Sequence, residues 1–347
     1  MQAILDAAGE GILFADMDWT IEYANPALEQ LTGHSAAEMT GQSPEMWRSD
    51  LAPRPTYDEM KAAIQNGAIW QGELVNRRKG GDPYDAALTV SPYRDADGHI
   101  IGLVVILRDI TRQKELERLK NQFISNVSHE LRTPLANVKL YISLLERGRS
   151  EKRDLYMQTL HRETTRLQRL IEDLLDLSRL DMGTVKIDLV PVELNRIAAD
   201  LIADRSAMVA ERNLALDYEP EPGLPLCLAD AAMMGQVMSN LMANAVNYTQ
   251  PGGAITLRTA TRDRDGRRWV TLSVQDNGPG ISEADRLRLF ERFYRGEAGR
   301  NSGAPGTGLG LAICLEIARR LAGDLTVESQ PGHGSTFTIW LPPLEPA

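Results

Sequence analysis

Cysteine is almost missing from this sequence. Cys227 and Cys314 are the two in 347 residues, far apart and outside any CxxC pattern. That excludes a disulfide scaffold and a cysteine-ligated zinc site, and it fits a reducing compartment. A long apolar run is also missing: the longest, "IIGLVVIL" at 100–107, falls far short of a membrane span. No basic-then-apolar leader opens the chain, which starts directly on folded-domain pattern. The expectation is a cytoplasmic protein with no membrane insertion of its own, membrane association requiring an upstream segment absent from this sequence. Positive charge is in deficit, with 38 Lys and Arg against 48 Asp and Glu. The resulting net charge of −10 argues against a constitutive nucleic-acid binder, which needs a basic face. What is present is 43% apolar residues, enough for real cores, over a length suited to two or three domains.

The pattern changes twice along the chain. Residues 1–110 read as a small α+β unit with an antiparallel sheet. "GILFADMDWTIEYANPAL" gives a hairpin around Asp16–Thr20 and then a helix; three further strand-like runs are separated by "KGGD" and "DADG". From 111 to 183 the pattern is helical. Leu116, Leu119, Phe123 and Val127 form one seam, and Leu160, Leu167, Leu170, Leu174 and Leu177 form another, with "RGRSEK" at 147–152 as the turn between the helices. A hairpin alone exposes such stripes, whereas dimerisation into a four-helix bundle buries them. Residues 184–347 read as α/β, with helices near 193–212, 230–248 and 309–322 and strands near 254–262, 268–275 and on either side of "PGHG".

Four stretches carry chemistry. In "NLMANAVNYTQPGG", Asn240, Asn244 and Asn247 project from one helical face, and amide oxygens are hard ligands suited to Mg²⁺. "VQDNGPGI" places Asp276, Gly278 and Gly280 at a strand end. "GAPGTGLGLAI" sets Gly303, Gly306, Gly308 and Gly310 ahead of an amphipathic helix, where backbone N–H groups and the helix dipole favour an anion. It is not a Walker motif, because no GK[ST] follows. In "FISNVSHELRTPL", His129, Glu130, Thr133 and Pro134 sit on a helix whose packing needs none of them. Each stretch alone has a bland reading, as structural amides, turns or a polar patch. Their order and spacing together do not.

With "LFERFYRG" and "GHGSTF" added, the chain resembles a PAS-domain sensor histidine kinase of two-component systems over nearly its whole length. "FISNVSHELRTPL" resembles the phosphoacceptor H-box; "NLMANAVNYT", "DNGPGI", "LFERFYRG" and "GTGLGLAI" are similar to the N, G1, F and G2 boxes, and "GHGSTF" to the last glycine box. The resemblance implies a multidomain α+β fold. Its parts would be a PAS antiparallel-sheet sensor domain at 1–110, a dimeric helical hairpin (four-helix bundle, HisKA type) at 111–183, and an α/β-sandwich ATP-binding domain of the Bergerat (GHKL) fold at 184–347. It implies autophosphorylation of His129 from ATP, onward transfer to an aspartate of a response regulator receiver domain, and phosphatase activity toward that regulator. The implied partners are a second copy of the chain and that regulator; the implied cofactors are ATP and Mg²⁺.

Residue by residue, the resemblance assigns Asp276 to the adenine amino group and Asn244 with Asn240 to Mg²⁺. Gly306, Gly308 and Gly310 would shape a lid, with Arg292, Arg295 and Arg300 nearby and one of them reaching the γ-phosphate. Asn247, Tyr248, Gly278, Gly280, Ile281, Thr307, Leu309 and Thr336 complete the expected ATP contacts. Asn247 is a departure, since many relatives carry Lys or Arg there. His129 suits phosphoryl transfer as a neutral imidazole, and Glu130 is expected to accept from its other ring nitrogen. Thr133, one turn on, would orient a water for dephosphorylation. Pro134 leaves the Glu130 carbonyl without its helical donor and predicts a hinge. His161 and His333 read as non-catalytic.

Three rivals stay open. Hydrolysing relatives of this nucleotide fold carry a glutamate where Asn240 stands, and an amide is no general base. A serine kinase of the same fold lacks an H-box hairpin. A non-enzymatic PAS scaffold, or a phosphatase-only partner, is the third. For the sensor domain, the absence of cysteine in 1–110 excludes a flavin adduct, and "TYDEMKAAIQNGAIW" has no His to hold haem, with His34 and His99 in turns. Trp47 and Trp70 line a pocket or fill the core.

Overall fold

A computed structural model of the chain describes residues 2–49, 54–146, 148, 152–182, 187–297, 299 and 306–344. Most of the expected turn at 147–152, the boundary at Gly183, and Arg300 and Gly303 lie outside the described residues. The chain divides into two compact units, one ending at Ile124 and one starting at Ser125.

The first unit is built on a five-stranded sheet in the order β2-β1-β5-β4-β3, every neighbouring pair antiparallel. The strands are β1 (Gly11–Ala15), β2 (Ile21–Ala24), β3 (Trp70–Arg77), β4 (Pro83–Arg94) and β5 (Ile100–Asp109). Helices α1 (Gln2–Asp6), α2 (Pro26–Thr32), α3 (Ala36–Met39) and α4 (Arg54–Gln65) fill the connections. Asp16 closes the first hairpin by accepting from the N–H groups of Asp18 (2.9 Å) and Thr20 (2.7 Å), an Asx-type turn. Fully buried Asn25 caps α2 by accepting from Leu28, and its amide also bonds Ile12, Leu5 and Glu10, so every group it buries is satisfied. The core joins Leu13, Leu28, Met39, Trp47, Trp70, Tyr84, Val90 and Leu103. Trp47 also lines a cavity of about 260 Å³, together with Leu74, Val105 and Asn76.

At the end of β5 the chain turns directly into α5 (Thr111–Glu146). The Ile110 N–H donates to the Asp85 carbonyl (2.9 Å), Asp109 caps Thr111 (2.9 Å), and the Lys114 ammonium sits between Glu73 (2.8 Å) and Asp85 (3.0 Å). These bonds tie the first turn of α5 to the sheet.

In the second unit α5 pairs with α6 (Arg153–Asp181) as an antiparallel hairpin, marked by Tyr141 against Tyr156 (ring centroids 5.6 Å) and Glu130 against Arg166 (3.0 Å). Leu170, Leu177 and Leu180 are buried, while Leu116, Leu119, Leu135, Leu140, Leu155 and Ile171 stay exposed along the hairpin helices. At Pro134, where a bend is expected, α5 continues as one helix to Glu146, with Pro134 buried. Packing across the hairpin offsets the lost hydrogen bond, which in an isolated helix costs about 3 kcal/mol.

The rest of the unit holds a sheet in the order β11-β12-β10-β9-β7, antiparallel except where β7 runs parallel to β9. Its strands are β7 (Ala215–Glu219), β9 (Ala254–Arg264), β10 (Arg267–Asp276), β11 (Asp324–Gln330) and β12 (Gly334–Leu341); β6 (Val190–Val192) and β8 (Cys227–Ala229) pair separately. Helices α7 (Leu194–Glu211), α8 (Ala231–Tyr248) and α10 (Gly310–Arg320) pack against the sheet, and α9 (Glu283–Arg286) follows β10. Asp230 caps α8 by accepting from Ala232 and Met233. Met234, Met238, Leu241, Leu272, Ile313 and Ile317 form a fully buried core. No described helix is long and apolar enough to cross a membrane.

Candidate active site

A cleft of about 1190 Å³ opens between α8, the ends of β10 and β12, the segment before α10, and α6 of the hairpin. It gathers most of the residues singled out in the sequence. Asn240, Asn244, Asn247 and Tyr248 enter from α8, Asp276 from β10, and Gly280 and Ile281 from the loop after it; Arg295, Gly306, Thr307, Gly308 and Gly310 close one side.

Asp276 ends β10 and is 7% exposed. Burial pushes its carboxyl above the ordinary carboxylate range, and the N–H groups of Gly278 and Ser335 pull it partly back. A buried acceptor of this kind favours a neutral amino donor over a carbonyl. Gly278 does not line the cleft; its N–H is spent on Asp276 Oδ1 at 2.9 Å, so it positions the carboxylate. Gly280 has φ +69°, and a Cβ there would land on the Gln330 carbonyl, so the loop's close approach to the β11–β12 turn requires glycine.

Asn240 and Asn244 stand one turn apart, with hard amide oxygens available to a cation. Asn247 is different. Arg212 donates to its Oδ1 (3.2 Å) and to the Val246 carbonyl (3.4 Å). A guanidinium has no acceptor, so this contact fixes the amide orientation and leaves the Asn247 NH₂ as its free donor. The missing Lys or Arg at 247 is thus replaced by a neutral donor backed by a charge.

Several expected contacts fall elsewhere. Thr336 points away: Ser335 and Phe337 line the cleft, and alternation along β12 sends the residue between them to the opposite face. Leu309 is fully buried in the core ahead of α10. Arg292 does not line the cleft; it makes a bidentate pair with Asp181 of α6 (2.7 and 2.8 Å). Arg295 does line it, donating to the Gly299 carbonyl.

On α5, His129 is exposed, and the Thr133 hydroxyl donates back to the His129 carbonyl at 3.3 Å. Glu130 is not paired with His129: its carboxylate meets Arg166 across the hairpin, and as the next residue on the helix it meets the imidazole only by side-chain reach.

The α6 side of the cleft was not foreseen. Arg162, Arg166, Arg169 and Asp173 line it, with exposed His161 at the rim. Asp173, pushed up by burial, accepts from the Thr307 hydroxyl at 2.7 Å, and Asp176 accepts from Gln236 at 2.7 Å. The spacing 162, 166, 169, 173, 176 is one helical face, which is a signal the sequence did carry.

Comparison with known proteins agrees with this arrangement. Residues 1–110 match the PAS fold, residues 119–183 the His Kinase A (phospho-acceptor) domain, and residues 229–345 the histidine kinase-, DNA gyrase B- and HSP90-like ATPase family. The alginate biosynthesis sensor protein KinB of Pseudomonas aeruginosa is 33% identical over 99% of this chain and 56% of its own length. The aerobic respiration control sensor protein ArcB of Escherichia coli is 31% identical over 98% of this chain and 44% of its own. This chain thus spans about half the length of those two relatives. It covers 76% of the phosphate regulon sensor protein PhoR of Pseudomonas aeruginosa, at 31% identity over all of this chain. Among solved structures, histidine kinase ThkA in complex with response regulator protein TrrA matches over 99% of this chain and 98% of its own, with 21% identity and a TM-score of 0.53, a likeness of fold. Three domain types in this order, with PhoR matched over all of this chain and 76% of its own length, mean that the chain belongs to the PAS-containing sensor histidine kinases.

Proposed function

We propose that the chain binds ATP in the cleft, phosphorylates its own His129, and passes the phosphoryl group to an aspartate of a response regulator, with phosphatase activity toward the same partner. The observation that carries this reading is the meeting of Asp276, Asn240, Asn244 and the glycine segment 306–310 around one cleft whose far wall is the phosphoacceptor hairpin. Asp276 accepts from the adenine amino group, and the Asn247 NH₂ donates to a phosphate oxygen. Asn240 and Asn244 offer the donor set that suits Mg²⁺, which when bound neutralises phosphate charge. Asn240 in place of a glutamate supports transfer over hydrolysis, since no base is held there for water.

His129 attacks the γ-phosphorus through one neutral ring nitrogen, and positioning and electrostatics carry most of such a reaction. The exposed apolar residues along α5 and α6 support a homodimer in which a second hairpin covers them. Thr133, on the same face as His129, is suited to orienting water in the reverse, dephosphorylating direction. The test uses purified protein, Mg²⁺ and γ-labelled ATP. Label should appear on the wild type in acid-labile, alkali-stable form and be absent from His129→Gln. Equal labelling of both would sink the assignment.

A further inference from the structure

Arg166 belongs to two places at once. It lines the cleft with Arg162 and Arg169, and its guanidinium holds the carboxylate of Glu130 at 3.0 Å. Glu130 adjoins His129, the side chain that receives the phosphoryl group in the reading above, on which this inference rests. Meanwhile the α8 side of the cleft supplies no cation at 247, where Asn247 has its oxygen turned to Arg212. Arg295 is engaged by the Gly299 carbonyl. A triphosphate in the cleft therefore faces the guanidinium row Arg162, Arg166 and Arg169 on α6, and the one fork of that row that also holds the neighbour of His129 is Arg166.

The pair is a weak one to break. Its side chains are half-buried, 30% and 34% exposed, so water still screens the pair and its contribution is modest. A terminal phosphate carries more charge than a carboxylate and accepts the same bidentate geometry.

We propose that Arg166 is an exchange residue: the γ-phosphate of bound ATP takes its guanidinium from Glu130, and the released carboxylate turns to the ring N–H of His129. The two events then coincide. The other ring nitrogen of His129 forms the N–P bond while the bond from the γ-phosphorus to the β,γ-bridging oxygen breaks, that electron pair leaving with ADP. The proton on the remaining ring nitrogen passes to Glu130. Without a γ-phosphate, Arg166 keeps Glu130 and the acceptor has no base, so the hairpin distinguishes ATP from ADP. Arg166 thus touches the transferred phosphoryl directly and governs the His129 proton through Glu130.

The competition makes a prediction whose sign a purely structural ion pair does not share. In the full chain with Mg²⁺, binding of the β,γ-imido analogue of ATP and of ADP would be measured for wild type, Glu130→Gln, Arg166→Gln, Arg166→Lys and the double variant Glu130→Gln/Arg166→Gln. Removing the competing carboxylate should tighten the triphosphate analogue about two- to fivefold in Glu130→Gln, leave ADP unchanged, and slow His129 labelling from ATP. Arg166→Gln should bring the analogue's affinity down toward that of ADP, with partial recovery in Arg166→Lys. In the double variant the Glu130→Gln gain should vanish. An unchanged analogue-to-ADP ratio in Glu130→Gln, or a gain that persists without Arg166, would overturn the exchange while leaving the cleft assignment standing. Failure of the wild type to bind either nucleotide would overturn both.

Discussion

Replacing Gly280 by alanine tests how the cleft is built, because two separate costs meet at one atom. The residue sits at φ +69°, where an L side chain costs about 1–2 kcal/mol. Its new Cβ would land on the Gln330 carbonyl and lie 3.0 Å from Pro331 Cα, both backbone atoms of the β11–β12 turn that cannot swing aside as a side chain would. Relief requires moving that turn, which the Gly332 N–H to Pro279 carbonyl bond (2.7 Å) holds against this loop, at a further cost of about 1 kcal/mol. The total, about 2–3 kcal/mol, corresponds to a fall of about 4–12 °C in the unfolding midpoint of a unit this size. Gly306→Ala is the control. Gly306 has no left-handed φ and nothing within 4 Å of a built Cβ, so its midpoint should stay within about 1 °C. Thermal unfolding of the two variants, followed by nucleotide titration at a temperature where both are folded, separates architecture from lid. A Gly280→Ala midpoint indistinguishable from that of Gly306→Ala would refute the argument that this loop is held by backbone contact.

Two further outcomes follow from buried polar groups. Because burial raises the Asp276 carboxyl, the folded state keeps the proton longer than the unfolded chain, and stability falls as pH rises from the ordinary aspartate value of about 3.9 through the raised folded value. Asp276→Asn should therefore gain midpoint relative to wild type across that interval and hold the gain at neutral pH, while ATP affinity drops at least tenfold; thermal melts and titrations over a pH series check both. In the sensor unit, the Nδ2 of Asn76 is buried without a hydrogen-bond partner beside the cavity, so Asn76→Leu should raise the unfolding midpoint of the ligand-free chain, by about 1 kcal/mol on the stability scale.

What the sequence disclosed and what it withheld divide along the range of the interactions. Hairpins such as the one closed by Asp16, and the α8 face carrying Asn240, Asn244 and Asn247, rest on contacts a few residues apart, and spacing reveals those. Thr336 lies between two residues that line the cleft, Ser335 and Phe337, because a one-residue step along a strand changes the face. Glu130 and Arg166 are 36 residues apart, and Arg292 and Asp181 are 111 apart. Such partners are set by how the hairpin meets the nucleotide-binding sheet, and no local pattern contains that. Arg292 was expected at a phosphate because its position beside the lid segment is local; its partner on α6 is not.

The face of α6 toward the sheet domain changes sign along its length, and that order has a consequence. Its stretch 162–169 offers three arginines, Arg162, Arg166 and Arg169, and one carboxylate, Glu163, to the cleft. Its second half offers Asp173 to Thr307, Asp176 to Gln236 and Asp181 to Arg292. The acidic half therefore grips the segment that leads into α10, the helix α8 and the loop after α9, all of them neutral or basic at the contact. In the function proposed above, the arginine-rich stretch faces the anionic end of the nucleotide. Were the two halves exchanged, carboxylates would line the phosphate space, and arginines would oppose Arg292. The order of charges along this one helix matches the observed docking, with the glycine segment next to Asp173 and the open cleft toward Arg166. That polarity leaves the arginine-lined end of the cleft on the side of the hairpin where Arg166 meets Glu130, the neighbour of His129.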